Sequence, residues 1–190
     1  VGVNTSAAGL RSGSVTLAYQ TDGTGPNGNS GLAAISAGSQ TINVQGNVYN
    51  MAAGSASPTP VVLAAQRIGG SLTQTLSIAN VAPSGVFSEA LNASFSGATG
   101  NAVHNGGVVT NLAAGASNAA AMTVGVGTGT AGLRSGTVTV AYQTDGTGPN
   151  GNSGLAAIAA GSQTIDVSGK VYAPAVAQLN TTVVDFGVVR

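Results

Sequence analysis

The sequence predicts an all-β protein built from antiparallel β-sandwich repeats of 123 residues, and three observations predict it. Val1–Tyr49 returns without a gap as Val124–Tyr172, 123 residues further on, with 40 of 49 positions identical. Within that match Ala18–Ile35 recurs letter for letter as Ala141–Ile158. A self-match at one fixed offset defines the folding unit, and a unit far longer than the roughly 20–50 residues of a solenoid rung is a globular bead. Apolar residues also alternate with polar ones over short stretches punctuated by Gly, Asn and Pro, the pattern of half-buried strands. Finally, only 5% of residues are charged and 30 of 190 are glycine, against about 25% charge in ordinary domains, and no stretch carries an apolar period of 3.6.

Taken in order, residues 1–49 read as the C-terminal part of one bead. Val15, Leu17 and Tyr19 alternate with Thr16 and Ala18, and Ile42 and Val44 alternate with Thr41, Asn43 and Gln45, each a strand with one buried and one wet face. The intervening loop Thr21–Gly31 holds Asp22-Gly23 and Asn27-Gly28, pairs that tolerate positive φ. Residues 50–60, with small side chains and two prolines, read as a linker. Residues 61–172 read as a complete bead. Its strands are marked by Val61–Ala65, by Leu72, Leu76 and Ile78, by Leu91, Ala93 and Phe95, by Ala120, Met122, Val124 and Val126, and by Val138, Val140, Tyr142, Ile165 and Val167. Gly97–Gly107 reads as loop, and Gly115 and Asn118 speak against a helical turn in the alanine-rich stretch Leu112–Ala121. About seven short strands separated by turns indicate a sandwich. Residues 173–190 read as a second linker and the first strand of a further bead, because Val183–Arg190 aligns with Pro60–Arg67 at the same offset. The chain thus reads as a stretch of a longer tandem protein.

Four segments together resemble the bacterial choice-of-anchor D repeat proteins: Val184–Arg190 (Val-Asp-Phe-Gly-Val-Val-Arg), Ser71–Asn80, Leu112–Ala116 and Ala131–Val140. The resemblance implies tandem immunoglobulin-like beads on an exported protein of the bacterial surface or extracellular space. Leu63-Ala64 departs from it, standing where Phe186-Gly187 matches.

The residues that carry chemistry are sparse. Net charge is zero, so no basic stripe neutralises phosphates. The chain contains no cysteine, which removes disulfides and thiolate sites, and no apolar run reaches the length of a membrane span. His104 is the only histidine, and no two of the carboxylates Asp22, Glu89, Asp145, Asp166 and Asp185 lie within ten residues of each other, so spacing suggests no acid–base pair. The region around Glu89 and His104, which is not repeated, is the only place that could host an enzyme. The copied loop offers calcium-type oxygens in Asp22, Asn27 and Asn29 and again in Asp145, Asn150 and Asn152. With one acid per loop it falls short of an EF-hand. Gly23, Gly25 and Gly28 lack the strand-to-helix setting of a phosphate loop, and the sequons at Asn4, Asn92 and Asn180 are what this composition yields by chance.

The reading is therefore a non-enzymatic structural segment without cofactor, forming a stalk, filament, sheath or surface layer with adjacent repeats or copies of itself. Near-absent charge removes repulsion between neighbours. The expected assembly strand is Val183, Val184, Phe186, Val188 and Arg190, and the expected partner of the copied loop is the adjoining bead or chain. The alternative is an adhesive or glycan-binding module presenting Tyr49 and Tyr172 or the loop. Tyr142, in the inward row, is expected to pack in the core.

Overall fold

A computed structural model describes residues 1–188 and 190. All regular structure among them is β, in three sheets and without a helix. The first sheet is a hairpin of β1 (Gly9–Thr21) and β2 (Ile35–Val48). The next strands are β3 (Gly54–Ser57), β4 (Val61–Val62), β5 (Gln66–Arg67) and β6 (Thr73–Asn80). They are followed by β7 (Ala90–Ala98), β8 (Ala102–His104) and β9 (Val108–Leu112). The last three are β10 (Ser117–Val126), β11 (Gly132–Asp145) and β12 (Ile158–Tyr172). One sheet has the order β3-β6-β10-β8, and the other has β4-β12-β11-β7-β9 with β5 also on β12.

The alternation seen in the sequence decides which side chains fill the space between these two sheets. Leu76 and Ile78 on β6 and Met122 and Val124 on β10 come from one side, while Val138, Val140, Ile165 and Val167 come from the other, and all belong to one buried cluster. With no tryptophan available, the layer is filled mainly by valine, leucine, isoleucine and alanine with Met122, and Tyr142 is its one fully buried ring. Gly54 lies directly under that ring, where a Cβ would stand 2.3 Å from it. Gln163 on β12 ties the sheets at the same place. Its Oε1 accepts from the Ala56 amide (2.8 Å) and from the Tyr142 hydroxyl (3.0 Å), and its Nε2 donates to the Ala56 carbonyl (2.9 Å).

Several expectations are corrected. Residues 50–60 are not a free linker: Gly54–Ser57 pairs antiparallel with β6, from Gly54 opposite Asn80 to Ser57 opposite Ser77, and Ala52 and Ala56 are buried. Pro58 and Pro60, both preceded by cis peptide bonds, carry the chain from this strand in one sheet to β4 in the other. Strands β4 and β5 run parallel to β12, whereas the other strand pairs are antiparallel. The stretch read as loop, Gly97–Gly107, contains β8, and β9 ends at Leu112 within the alanine-rich region. Ala120 leaves the inward row because the β10–β6 register shifts between Asn118 and Met122, which leaves it exposed.

The copied hairpins have one register. The twelve pairs from Gly9↔Val48 to Thr21↔Ile35 recur, 123 residues on, from Gly132↔Val171 to Thr144↔Ile158, with the irregularity at the same step. Their surroundings differ. Val138, Val140, Tyr142 and Ile165 are 0%, 0%, 3% and 0% exposed, whereas Val15, Leu17, Tyr19 and Ile42 are 37%, 43%, 44% and 38% exposed. Residues 173–188 and 190 form no strand; Val183, Val184, Phe186 and Val188 are exposed, and Val189 lies outside the described residues.

Candidate functional site

A connected set of polar side chains surrounds the second copy of the loop, residues 144–154. Its internal shape is set by backbone bonds: Gly146 N–H donates to Leu155 O (3.1 Å), Gly154 N–H to Gly146 O (2.8 Å) and Gly151 N–H to Gly148 O (2.8 Å). The first copy repeats them, with Gly23 N–H to Leu32 O (3.2 Å), Gly31 N–H to Gly23 O (2.9 Å) and Gly28 N–H to Gly25 O (2.8 Å). Asp145 caps its own turn by accepting from the amide and hydroxyl of Thr147 at 2.9 and 2.7 Å, and Asp22 does the same with Thr24 at 2.8 and 2.7 Å. These bonds stabilise the carboxylate form and hold both acids below the ordinary carboxylate range, the threonine hydroxyl being the largest cause in each case. The loop conformation is therefore encoded locally, the glycines allowing backbone to approach backbone.

What the second copy adds is an anchorage. Glu89, buried at the entry to β7, accepts from the Thr144 hydroxyl at 2.5 Å and from the Ser153 hydroxyl. The Thr144 oxygen in turn accepts from the Ala52 amide (2.9 Å). Asn152 donates to Ser88 O (2.8 Å), and Asn150 donates through its backbone to Asn111 Oδ1 and through its side chain to Asn111 O, both at 2.9 Å. Asn92 completes the ring, donating to Asp145 Oδ2 (2.9 Å) and accepting from the Asn111 amide (2.7 Å). Beneath it Asn80, 1% exposed, uses its whole amide: Oδ1 accepts from Ala53 and Ala82, and Nδ2 donates to Glu89 O and Leu112 O.

The structure thus gives the loop residues an occupation. The side-chain amides of Asn150 and Asn152 point their N–H groups at protein carbonyls, and Asp145 is engaged by Thr147 and Asn92. In the first copy Asn27 and Asn29 are exposed and Asp22 is engaged by Thr24. Among the described residues no group of three or more His, Cys, Asp or Glu comes together. Within this chain the loop 144–154 bonds to Glu89, Ser88 and Asn111. The reason is that the strands preceding it fold back under the loop, which the loop's own letters do not announce.

His104 does not meet Glu89. It sits on the edge strand β8, stacked on Phe95 with ring centroids 4.3 Å apart, and accepts from the Gly106 amide at 3.1 Å. The tyrosines divide in two. Tyr19 and Tyr142 each donate to a glutamine on the neighbouring strand, Gln40 at 2.9 Å and Gln163 at 3.0 Å. Tyr49 leans on Phe87 at 5.6 Å, and Tyr172 is open to solvent. The residues that sequence reasoning missed as anchors are Asn80, Asn92 and Asn111. Asn92 stands in a sequon and Asn80 closes a strand, but no pattern points to these contacts, and only the pairing of distant strands reveals the partners.

The chain matches no protein-family model and no curated protein sequence. No helix among the described residues is long and apolar enough to cross a membrane.

Proposed function

We propose that this chain is a structural segment of a large exported repetitive bacterial protein of the cell surface or extracellular space. In this reading immunoglobulin-like β-sandwich beads recur every 123 residues and form a stalk, filament or surface layer. One observation carries it: the two hairpins keep the same register and the same local bonds although one is covered by a second sheet and the other is not. The shared bonds extend to Arg11, which donates to the carbonyls of Ala7 and Ala8, and Arg134, which donates to those of Thr130 and Ala131. A hairpin so preserved, apolar face included, is a component of a bead that recurs. The polar network around the loop supports the same conclusion, because most of its donors and acceptors, with the buried Asn111 Nδ2 as an exception, are spent on bonds between these strands and the loop. The resemblance of four short segments to choice-of-anchor D repeats points the same way.

The test is to express residues 50–172 alone and in tandem. A single cooperative melt for the unit, and an added bead of constant spacing for each unit in electron micrographs, is the expected outcome. A unit that melts without cooperativity defeats the reading. Retention of the unit on a glycan array, lost when 144–154 is shortened, would replace it with an adhesive module.

A further inference from the structure

The connection between the first hairpin and the bead that follows it is a single residue. The β1–β2 ladder ends with Val48 opposite Gly9, and Asn50 is already bound into the next bead. The Asn50 amide donates to Phe87 O (2.9 Å), its carbonyl accepts from the Glu89 amide (3.0 Å), and its side-chain amide donates to Ser88 Oγ (3.1 Å). The amides of Ala52 and Ala53 follow, donating to Thr144 Oγ1 (2.9 Å) and Asn80 Oδ1 (3.1 Å). Domains joined in one chain move relative to each other by default, through a linker in which few contacts cross. Here that linker is Tyr49 alone, and one residue contributes only two soft dihedrals.

Tyr49 is itself held. Its ring lies against Phe87 with centroids 5.6 Å apart and planes inclined at 47°, within the roughly 4.5–7 Å range of favourable tilted aromatic pairs. The turn 83–88 that presents Phe87 is braced from behind by Ser88, which is buried. Ser88 donates through its hydroxyl to Pro83 O (2.6 Å) and through its amide to Gly85 O (3.3 Å), and its carbonyl accepts from Asn152 of the copied loop (2.8 Å). The seat under Tyr49 is therefore part of the network that anchors 144–154. On the other flank of Tyr49, Val48 of the hairpin borders one cleft with Met51, Leu155 and Ile158 of the bead, three exposed apolar side chains. The bead's own last strand closes on the same pair of residues, Val171-Tyr172, 123 positions after Val48-Tyr49.

We propose that the turn 83–89 is a docking seat for the end of the preceding bead, with Tyr49 as the plug, so that successive beads keep one fixed orientation and the array is a stiff rod. The proposal rests on the repeat reading, which makes β1–β2 the end of a bead. The partner it fits is the Val-Tyr end of a last strand. Phe87 takes the tyrosine ring, the backbone of Phe87 and Glu89 takes the two backbone groups of the next residue, and the Ser88 hydroxyl takes the Asn50 side chain. With both neighbours of Tyr49 fixed and its ring against Phe87, rotation about its dihedrals breaks the stack.

Residual dipolar couplings of the full-length chain test the docking. Amide couplings from β1–β2 and from β11–β12 are expected to fit one alignment tensor. Phe87→Ala should split them into two, the β1–β2 tensor shrinking while that of the bead stays as it was, and Val86→Ala, on the same turn but exposed to solvent, should leave one. Because the chain has no tryptophan, Tyr49→Trp places a single indole at the junction. Its emission should lie to the blue of the urea-unfolded chain and move red when Phe87→Ala is added. Couplings of the unsubstituted chain that demand two tensors or vanish for β1–β2, a single tensor that survives Phe87→Ala, or an indole that emits as in the unfolded chain overturns the proposal. Any of these with a 50–172 unit that still melts cooperatively overturns the docking alone and leaves the repeat reading standing. A non-cooperative unit defeats both.

Discussion

The two hairpins, β1–β2 and β11–β12, are nearly the same sequence in two environments, and the contrast separates what a strand pair encodes from what its neighbours impose. The local features recur in both: the register, the irregularity after Ala18 and Ala141, the turn held by Asp22 or Asp145, the tyrosine–glutamine bond and the arginine clamp on two carbonyls. Only the second copy has the tertiary set. Arg134 gains Asn101 (2.8 Å), Gln163 gains Ala56, and the loop gains Glu89. A two-stranded ribbon is marginal in water, so the second sheet supplies the stability that the hairpin lacks.

Substitutions made at paired positions sharpen this contrast. The largest difference is expected at Ile165 and Ile42. Ile165→Ala empties space in the sealed layer and should cost about 3–4 kcal/mol, whereas Ile42→Ala, on a face still wet, should cost less than about 1 kcal/mol; urea denaturation measures both. Gly136 and Gly13 come next. A Cβ on Gly136 would stand 2.0 Å from Thr99 O and 2.8 Å from Ala102 N, both backbone atoms of the β7–β8 turn, while Gly13 has open space around it. Gly136→Ala should lower stability by about 3 kcal/mol and Gly13→Ala by no more than about 0.5 kcal/mol, a comparison that thermal melting of the two variants resolves.

The third test acts on the anchorage. Glu89→Gln replaces one acceptor oxygen by a donor, so either Thr144 or Ser153 loses its partner, at a cost of about 2 kcal/mol. Amide exchange in 144–154 should then rise towards that of 21–31, and peptides containing Val140 or Leu17 tell the copies apart by mass. Smallest is a pH effect. Burial pushes the Tyr142 hydroxyl up from 10.0 to about 12, because the ionised form is disfavoured in the layer. An unfolded chain releases this proton first, so the contribution is intact below pH 10 and is lost as pH rises towards 12. Tyr142→Phe should flatten that decline, measured as the urea midpoint against pH.

Much of this architecture was legible because a strand buried on one face writes its period into the letters. Val138, Val140 and Tyr142, or Leu76 and Ile78, declare their side of the sheet by alternation alone, and all five are buried. Gly54–Ser57 was illegible for the opposite reason. Its residues are so small that burial of Ala56 leaves no contrast with its neighbours, and prolines just beyond it imitate a linker. The asparagines were illegible because hydrogen-bond partners 19 or 39 residues away, as for Asn111 with Asn92 and Asn150, leave no mark at short range.

By itself the sequence determined most of the strands, the turn chemistry, the shape of the copied loop and the exclusion of thiolate chemistry, because these follow from local backbone preference and from which atoms are present. Only the tertiary structure decided which copy of the hairpin has a buried face. It also decided that residues 54–57 complete a sheet and that Glu89 and three asparagines hold the loop, since those outcomes depend on which distant segments meet.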